Sequence, residues 1–289
     1  MPDLPGSPDL PDLERDQPGW EVLKAGLAEA RASFGPSVVA AYAIGSLAHG
    51  GFAADVSDVD LALVLDALDR RVDKRVEQIK RKVAASLGTS IAGRLSVFWS
   101  TWDDLARRTG RGRFPWIDQL DLVESGVTVF GADGRARIVL PTGEDLRRRL
   151  LVESAEFMVK TLASPQHDEW LQVPQRLVAQ GRREMAKAVL FPVRFLYTLE
   201  TGKAGANAAA VEHFLAGHGG AVHELVRVAM RWRDSGLETS GLDVTLLAGA
   251  LPPLYLEVVA RYRAELVALG RPDLEKALGK WLARITPAA

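Results

Sequence analysis

The apolar positions of the first 140 residues recur with the two periods typical of strands and helices. Helical spacing predicts helices at residues 20–34, 72–87 and 102–108. Short β-branched and apolar runs predict strands at 38–44, 61–65, 94–100 and 127–130. Strands and helices that follow one another in this order are typical of a small α/β (α+β) domain built around a small mixed sheet.

Beyond residue 141 the apolar spacing is helical throughout. Helices are predicted at residues 146–162, 185–197, 207–216, 222–232, 255–269 and 272–282. Five or six amphipathic helices predict an all-α helical bundle domain. The sequence therefore divides into a lead-in at residues 1–18, an α/β domain at 19–140 and a helical domain at 141–289. The lead-in is acidic and proline-rich, which predicts disorder.

Composition restricts the possible classes of function. The net charge of −1 gives no overall attraction to nucleic acid. The chain has no cysteine, which excludes disulfides, thiolate metal sites and a cysteine nucleophile. No uninterrupted apolar run approaches the roughly 20 residues of a membrane helix. We therefore expect a cytoplasmic protein without a membrane partner; the oligomeric state is left open.

The candidate chemistry lies in residues 41–65, AYAIGSLAHGGFAADVSDVDLALVL. Asp58 and Asp60 are two positions apart in a segment predicted to be extended. Side chains two positions apart in a strand point to the same side, so both carboxylates would lie on one face. Two carboxylates suit Mg²⁺, which in proteins often also binds substrate phosphates. Gly45 allows close approach of the backbone to a ligand, and Ser46 offers a hydroxyl in a turn predicted to begin a short helix at residues 47–49.

This pattern of Gly45-Ser46, then Asp58 and Asp60 before an apolar strand, resembles the nucleotidyltransferase superfamily that shares the DNA polymerase β palm. The resemblance implies that the first domain is a nucleotidyltransferase domain. It also implies that ATP phosphates lie on Gly45 and Ser46, and that Asp58 and Asp60 bind Mg²⁺ and serve catalysis.

A second segment, FPVRFLYTLETGKAGANAAA at residues 191–210, resembles the helical domain of aminoglycoside adenylyltransferases of the streptomycin/spectinomycin type. The resemblance implies transfer of AMP from ATP to a hydroxyl of a small molecule such as an aminoglycoside, at a site between the domains. Arg194 then matches a nucleotide-binding arginine. Glu184 matches an acidic substrate-binding position that contacts an amino-bearing acceptor.

Two positions depart from the family pattern. The third carboxylate, expected on the strand at 94–100, is replaced by Ser96, and the nucleotide-binding lysine after the Thr-Gly turn is replaced by Asn207, with Lys203 four residues earlier. A hydroxyl can neither accept a proton at neutral pH nor bring charge to Mg²⁺. The acidic residues considered as substitutes are Asp103, Asp104, Asp118, Asp121 and Glu124.

Three functional hypotheses follow. The first is an active nucleotidyltransferase for a small molecule. The second is a weak or inactive relative that binds nucleotide and regulates a partner. The third is a nucleotidyltransferase that modifies proteins.

Overall fold

The computed structural model describes residues 17–107, 112–234 and 241–285. The chain divides into two compact units, Met1–Leu140 and Pro141–Ala289. Most of the predicted lead-in, residues 1–16, and the basic positions 108 and 111 lie outside the described residues. Residues 17 and 18, assigned to the lead-in from the sequence, belong to the first helix.

The described part of the first unit contains four α-helices and four strands. The helices are α1 (Gln17–Phe34), α2 (Val72–Leu87), α3 (Trp102–Arg107) and α4 (Trp116–Ser125). The strands are β1 (Val38–Ile44), β2 (Val59–Leu65), β3 (Leu95–Thr101) and β4 (Val127–Gly131). Helix α4 was not predicted from the sequence, although its buried residues Leu120 and Leu122 lie among apolar neighbours.

The four strands form one mixed sheet in the order β3-β2-β1-β4. Strand β1 pairs antiparallel with β2 and with β4, whereas β2 and β3 run parallel. The small mixed sheet followed by helices confirms the predicted fold class. In this sheet the carboxyl end of β1 lies beside the amino ends of β2 and β3.

Each face of the sheet is buried under helices, because alternate residues of the central strands point to opposite sides. One core joins Leu61 and Leu63 to apolar side chains of α1 and α2. The other core joins Ala62 and Val64 to Leu105 of α3 and Leu122 of α4. Helix α4 is therefore fixed over the second face of the sheet, where it packs on β1.

The second unit has eight helices among the residues that the structure describes. They are α5 (Gly143–Leu162), α6 (Pro165–Gln172), α7 (Pro174–Val178), α8 (Arg182–Thr201), α9 (Asn207–Gly217), α10 (Gly220–Asp234), α11 (Gly241–Ala268) and α12 (Pro272–Ile285). The predicted number of five or six was too low. The short helices α6 and α7 were missed because five to eight residues carry too few turns for a periodic signal.

Helix α11 is longer than predicted, because it continues through Pro252 and Pro253. Its segment Asp243–Ala268 has the length and hydropathy of a membrane-spanning helix, and a third of its most apolar window is buried. The hydroxyls of Tyr255 and Tyr262 donate hydrogen bonds to carbonyls of α8 at 2.9 Å. These contacts are those of a helix packed inside the bundle.

Candidate active site

The Gly45-Ser46 segment turns the chain at the carboxyl end of β1. Gly45 has φ +67°, a left-handed conformation that glycine adopts without strain. The turn is a 3-10 helix, Gly45–Leu47, and the N–H groups of Ala48 and His49 both donate to the Gly45 carbonyl. The α-helix expected at residues 47–49 is absent, so Ser46 lies inside a tight turn and not at a helix amino end.

Asp60 lies directly against Gly45. The two strands place Asp60 opposite Ile44, and a Cβ atom on residue 45 would lie 2.5 Å from Asp60 Oδ2. Real Cβ atoms essentially never show so close a contact. The absence of a side chain at Gly45 is therefore what allows the Asp60 carboxylate to occupy this position.

Asp58 immediately precedes β2, and the loop before it is held by Arg94. The Arg94 Nη1 atom donates to the Ser57 carbonyl at 2.7 Å, and its Nη2 atom donates to the Ala54 carbonyl. The Ser57 hydroxyl accepts a hydrogen bond from the Ala53 N–H at 3.0 Å. The role of Arg94 could not be predicted from the sequence, because its acceptors are backbone carbonyls, which every residue has.

Ser96 stands beside Asp60 in the sheet. The parallel register of β2 and β3 pairs these two residues, so their side chains leave the same face of the sheet. The strand position expected to hold a third carboxylate thus carries a neutral hydroxyl next to Asp60.

A different carboxylate, that of Asp121, reaches the same turn from α4. Its Oδ2 atom accepts a hydrogen bond from the Gly45 N–H at 2.5 Å. Asp60 and Asp121 therefore both touch Gly45. The substitutes Asp103 and Asp104 have other partners: Asp103 is ion-paired with Arg107, and Asp104 accepts a hydrogen bond from the hydroxyl of Thr101, the last residue of β3. Glu124 is exposed.

Asp58 and Asp60 are the two carboxylates that could hold a magnesium ion together with nucleotide phosphates. No group of three His, Cys, Asp or Glu side chains able to hold a metal occurs within the described ranges. Mg²⁺ usually keeps several waters and binds one or two carboxylates together with substrate phosphates. Asp58 and Asp60, beside a turn with no side chain at Gly45, meet that requirement.

Arg194 of the second unit holds the turn that follows α8. Its Nε atom donates to the Gly205 carbonyl at 3.0 Å. Gly202 ends the helix with φ +68°, and the Thr201 hydroxyl donates to a carbonyl one turn earlier. The Thr-Gly motif thus has a structural role in ending α8. Lys203 is exposed in this turn, whereas Asn207 is the first residue of α9.

Glu184 lies in the first turn of α8, ten residues before Arg194. Its carboxylate forms an ion pair with the neighbouring Arg183, and both residues line a cavity within the helical unit. This ion pair balances the negative charge of Glu184, which the sequence resemblance predicted to contact an amino-bearing acceptor.

Comparison with known proteins adds evidence on the fold. No protein-family model matches the sequence, and no curated protein matches it. The chain is similar to spectinomycin adenyltransferase AAD(9) from Enterococcus faecialis, whose crystal structure contains ATP and spectinomycin, with 15% identity and a TM-score of 0.56. The likeness covers 81% of this chain and 98% of the other. This chain therefore shares the fold of that protein. The resemblance inferred from the Gly-Ser and Asp-x-Asp pattern is confirmed at the level of the fold.

Proposed function

We propose that this protein transfers a nucleoside monophosphate, AMP from ATP, to a hydroxyl of a small molecule. The observation that carries the proposal is the contact between Gly45 and Asp60. It brings a left-handed glycine turn and a carboxylate together in a chain with the fold of an adenyltransferase.

Each residue of the pattern has a role in this proposal. Asp58 and Asp60 hold Mg²⁺, which when bound stabilises negative charge on the attacking and leaving oxygens. Ser46 binds the triphosphate through its backbone N–H and its hydroxyl, and Gly45, whose own N–H donates to Asp121, lets the phosphates approach the backbone closely. Arg94 is a positioning residue, because its bonds to two carbonyls fix the loop that ends at Asp58. Arg194 contributes a positive charge for the phosphates.

The proposed reaction breaks a phosphoanhydride bond of ATP and forms a phosphodiester bond to the acceptor. The acceptor oxygen forms a bond to the α-phosphorus, the bond from that phosphorus to its bridging oxygen breaks, and pyrophosphate leaves. The acceptor hydroxyl also releases a proton, which needs a base. Ser96 cannot accept that proton at neutral pH, so the neutral residue beside Asp60 slows the transfer.

The acceptor is proposed as a small-molecule hydroxyl without restriction to the aminoglycosides. Aminoglycosides carry several positive charges and require unmatched acidic side chains. Glu184 contacts the acceptor in this proposal, but its charge is already balanced by Arg183. The cytoplasm, where ATP and Mg²⁺ are available, is the proposed location.

A second candidate function is a catalytically silent nucleotide-binding regulator. The serine at position 96, directly beside Asp60, favours it, because this position would hold a third carboxylate in a fast enzyme. The two candidates share nucleotide binding and differ in pyrophosphate release.

To test the proposal, the protein is incubated with Mg²⁺, ATP labelled at the α-phosphate and a panel of hydroxylated small molecules. Transfer of the label to each acceptor and release of pyrophosphate are then measured. Label transferred to an acceptor, with an equal amount of pyrophosphate, would establish the enzyme. ATP binding without pyrophosphate from any acceptor would favour the regulator. The variant Ser96→Glu restores the expected carboxylate and should raise transfer by roughly 100-fold, the lower limit of a general base. No gain would show that the missing carboxylate at position 96 does not limit the reaction.

A further inference from the structure

Asp60 and Ser96 point to the face of the sheet that helix α4 covers. The two residues are partners in the parallel register of β2 and β3, so their side chains leave the sheet on the same side. Ala62, two positions after Asp60, belongs to the core that also contains Leu122 of α4. Residues two positions apart in a strand share a face, so Asp60 and Ser96 lie on the α4 side.

Helix α4 brings a further carboxylate to this face. Leu122 is buried in the core below the helix, and the preceding residue, Asp121, is half-buried beside the Gly45 turn. Asp121 Oδ2 accepts the Gly45 N–H at 2.5 Å, and a Cβ atom on Gly45 would lie 2.5 Å from Asp60 Oδ2. The carboxylates of Asp60 and Asp121 therefore both reach one glycine, on the face where Ser96 supplies only a hydroxyl.

The hydrogen bond to Gly45 fixes the Asp121 carboxylate without exhausting it. An ionised carboxylate has about four acceptor positions on its two oxygens, and the Gly45 N–H uses one of them. A general base must lie within hydrogen-bond distance of the proton that it removes, so a fixed position is an advantage. Asp121 thus combines the charge that Ser96 lacks with a defined position at the Gly45 turn.

We propose that Asp121 is the general base of the transfer reaction, the role that Ser96 cannot fill. This role rests on the proposed function, because without transfer to a hydroxyl there is no proton to remove. The acceptor O–H bond breaks as its proton moves to a carboxylate oxygen of Asp121. The acceptor oxygen bonds to the α-phosphorus, and the bond from that phosphorus to the pyrophosphate oxygen breaks. The carboxyl group of Asp121 then releases the proton to water.

The element that carries the base distinguishes Asp121 from a carboxylate at position 96. Asp121 reaches the turn from α4, whereas a carboxylate at position 96 would stand beside Asp60 in the sheet. Ser96→Glu therefore adds a second base to a chain that already has one. The two bases should replace one another, so removal of Asp121 matters less once position 96 carries a carboxylate.

The test is a double-mutant cycle between positions 96 and 121. Transfer of labelled AMP to spectinomycin, glucose and myo-inositol is measured at saturating Mg²⁺ and ATP. Asp121→Asn should lower transfer by roughly 100-fold, the lower limit of a general base. In the Ser96→Glu background the same substitution should change transfer by less than about threefold, because the two positions are coupled. Glu124→Gln, an exposed charge change on the same helix, should have no effect in either background.

Thermal unfolding and calorimetric affinity for ATP with Mg²⁺ separate catalysis from structure. Asparagine keeps an oxygen for the Gly45 N–H, so Asp121→Asn should remain folded and should not bind ATP more weakly. Equal losses of transfer in both backgrounds would show that Asp121 only holds the turn and would overturn its role as base. Weaker ATP binding in folded Asp121→Asn would assign Asp121 to the metal and would also overturn it.

The same cycle distinguishes failure of this role from failure of the proposed function. Transfer by the wild type that Asp121→Asn leaves unchanged would overturn the role of Asp121 alone. Absence of transfer by all four members of the cycle would overturn the proposed function, and the role of Asp121 with it. A large loss in the wild-type background that disappears in the Ser96→Glu background is the result expected.

Discussion

Replacing Gly45 with alanine is expected to damage the candidate site and not only the fold. The φ of +67° makes any side chain unfavourable, at a cost of about 1–2 kcal/mol. In addition, the new Cβ would lie 2.5 Å from Asp60 Oδ2, and ordinary contact begins at 3.4 Å. The carboxylate must therefore move by 0.5 Å to reach the shortest contact that real Cβ atoms show, 3.0 Å, and by 0.9 Å to reach ordinary contact at 3.4 Å. Magnesium ligands lie within about 2.0–2.1 Å in strict octahedral geometry, so this displacement removes Asp60 as a ligand.

Gly88→Ala is the matched control. Gly88 ends α2 with φ +63°, and a Cβ there would meet nothing within 4 Å. Both variants should lose about 1–2 kcal/mol of stability, measured by thermal or urea unfolding. Affinity for ATP in the presence of Mg²⁺ should fall more than about tenfold in Gly45→Ala alone. Equal ATP affinity in the two variants would refute the reasoning that Asp60 is used where it touches Gly45.

Two further substitutions test neighbours of this turn. Arg94→Ala removes the hydrogen bonds to the loop before Asp58. The free energy of unfolding should fall by no more than about 1.5–3 kcal/mol for each of these bonds, since the donor is charged. The variant should stay folded and lose affinity for Mg²⁺-ATP, with Arg94→Lys retaining part of it; unchanged affinity in Arg94→Ala would remove its positioning role. Asp121→Asn keeps an oxygen for the Gly45 N–H but removes a negative charge where the phosphates are proposed to bind. ATP affinity should rise about fivefold, corresponding to about 1 kcal/mol, whereas exposed Glu124→Gln on the same helix should have no effect. Weaker binding by Asp121→Asn would instead indicate that Asp121 helps to hold the metal.

Much of the first unit could be predicted from the sequence, because its central strands and long helices bury whole faces. The bounds predicted for β1 and α2 coincide with those in the structure, since a β-branched run and a regular apolar stripe mark them. The proximity of Gly45 to Asp60 follows from the pairing of two strands that are consecutive in the chain, and the apolar runs that form both strands can be recognised in the sequence.

Features that depend on distant contacts could not be predicted. Asp121 reaches Gly45 across 76 positions of the chain, on a helix short enough to need the sheet for its stability. Arg94 acts on backbone carbonyls, which every residue has, so its role cannot be recognised from the sequence. The helix predicted at residues 255–269 begins at Gly241 in the structure, because packing against neighbouring helices lets α11 continue through Pro252 and Pro253.

The most direct test of the central claim is a calorimetric titration of ATP with and without Mg²⁺. The wild-type protein should bind ATP strongly only when Mg²⁺ is present. Asp60→Asn should lose the magnesium-dependent part of the affinity, whereas Asp66→Asn, an exposed aspartate just after β2, should retain it. Magnesium-independent binding, or equal affinity in wild type and folded Asp60→Asn, would contradict the claim that Asp58 and Asp60 form a metal–nucleotide site.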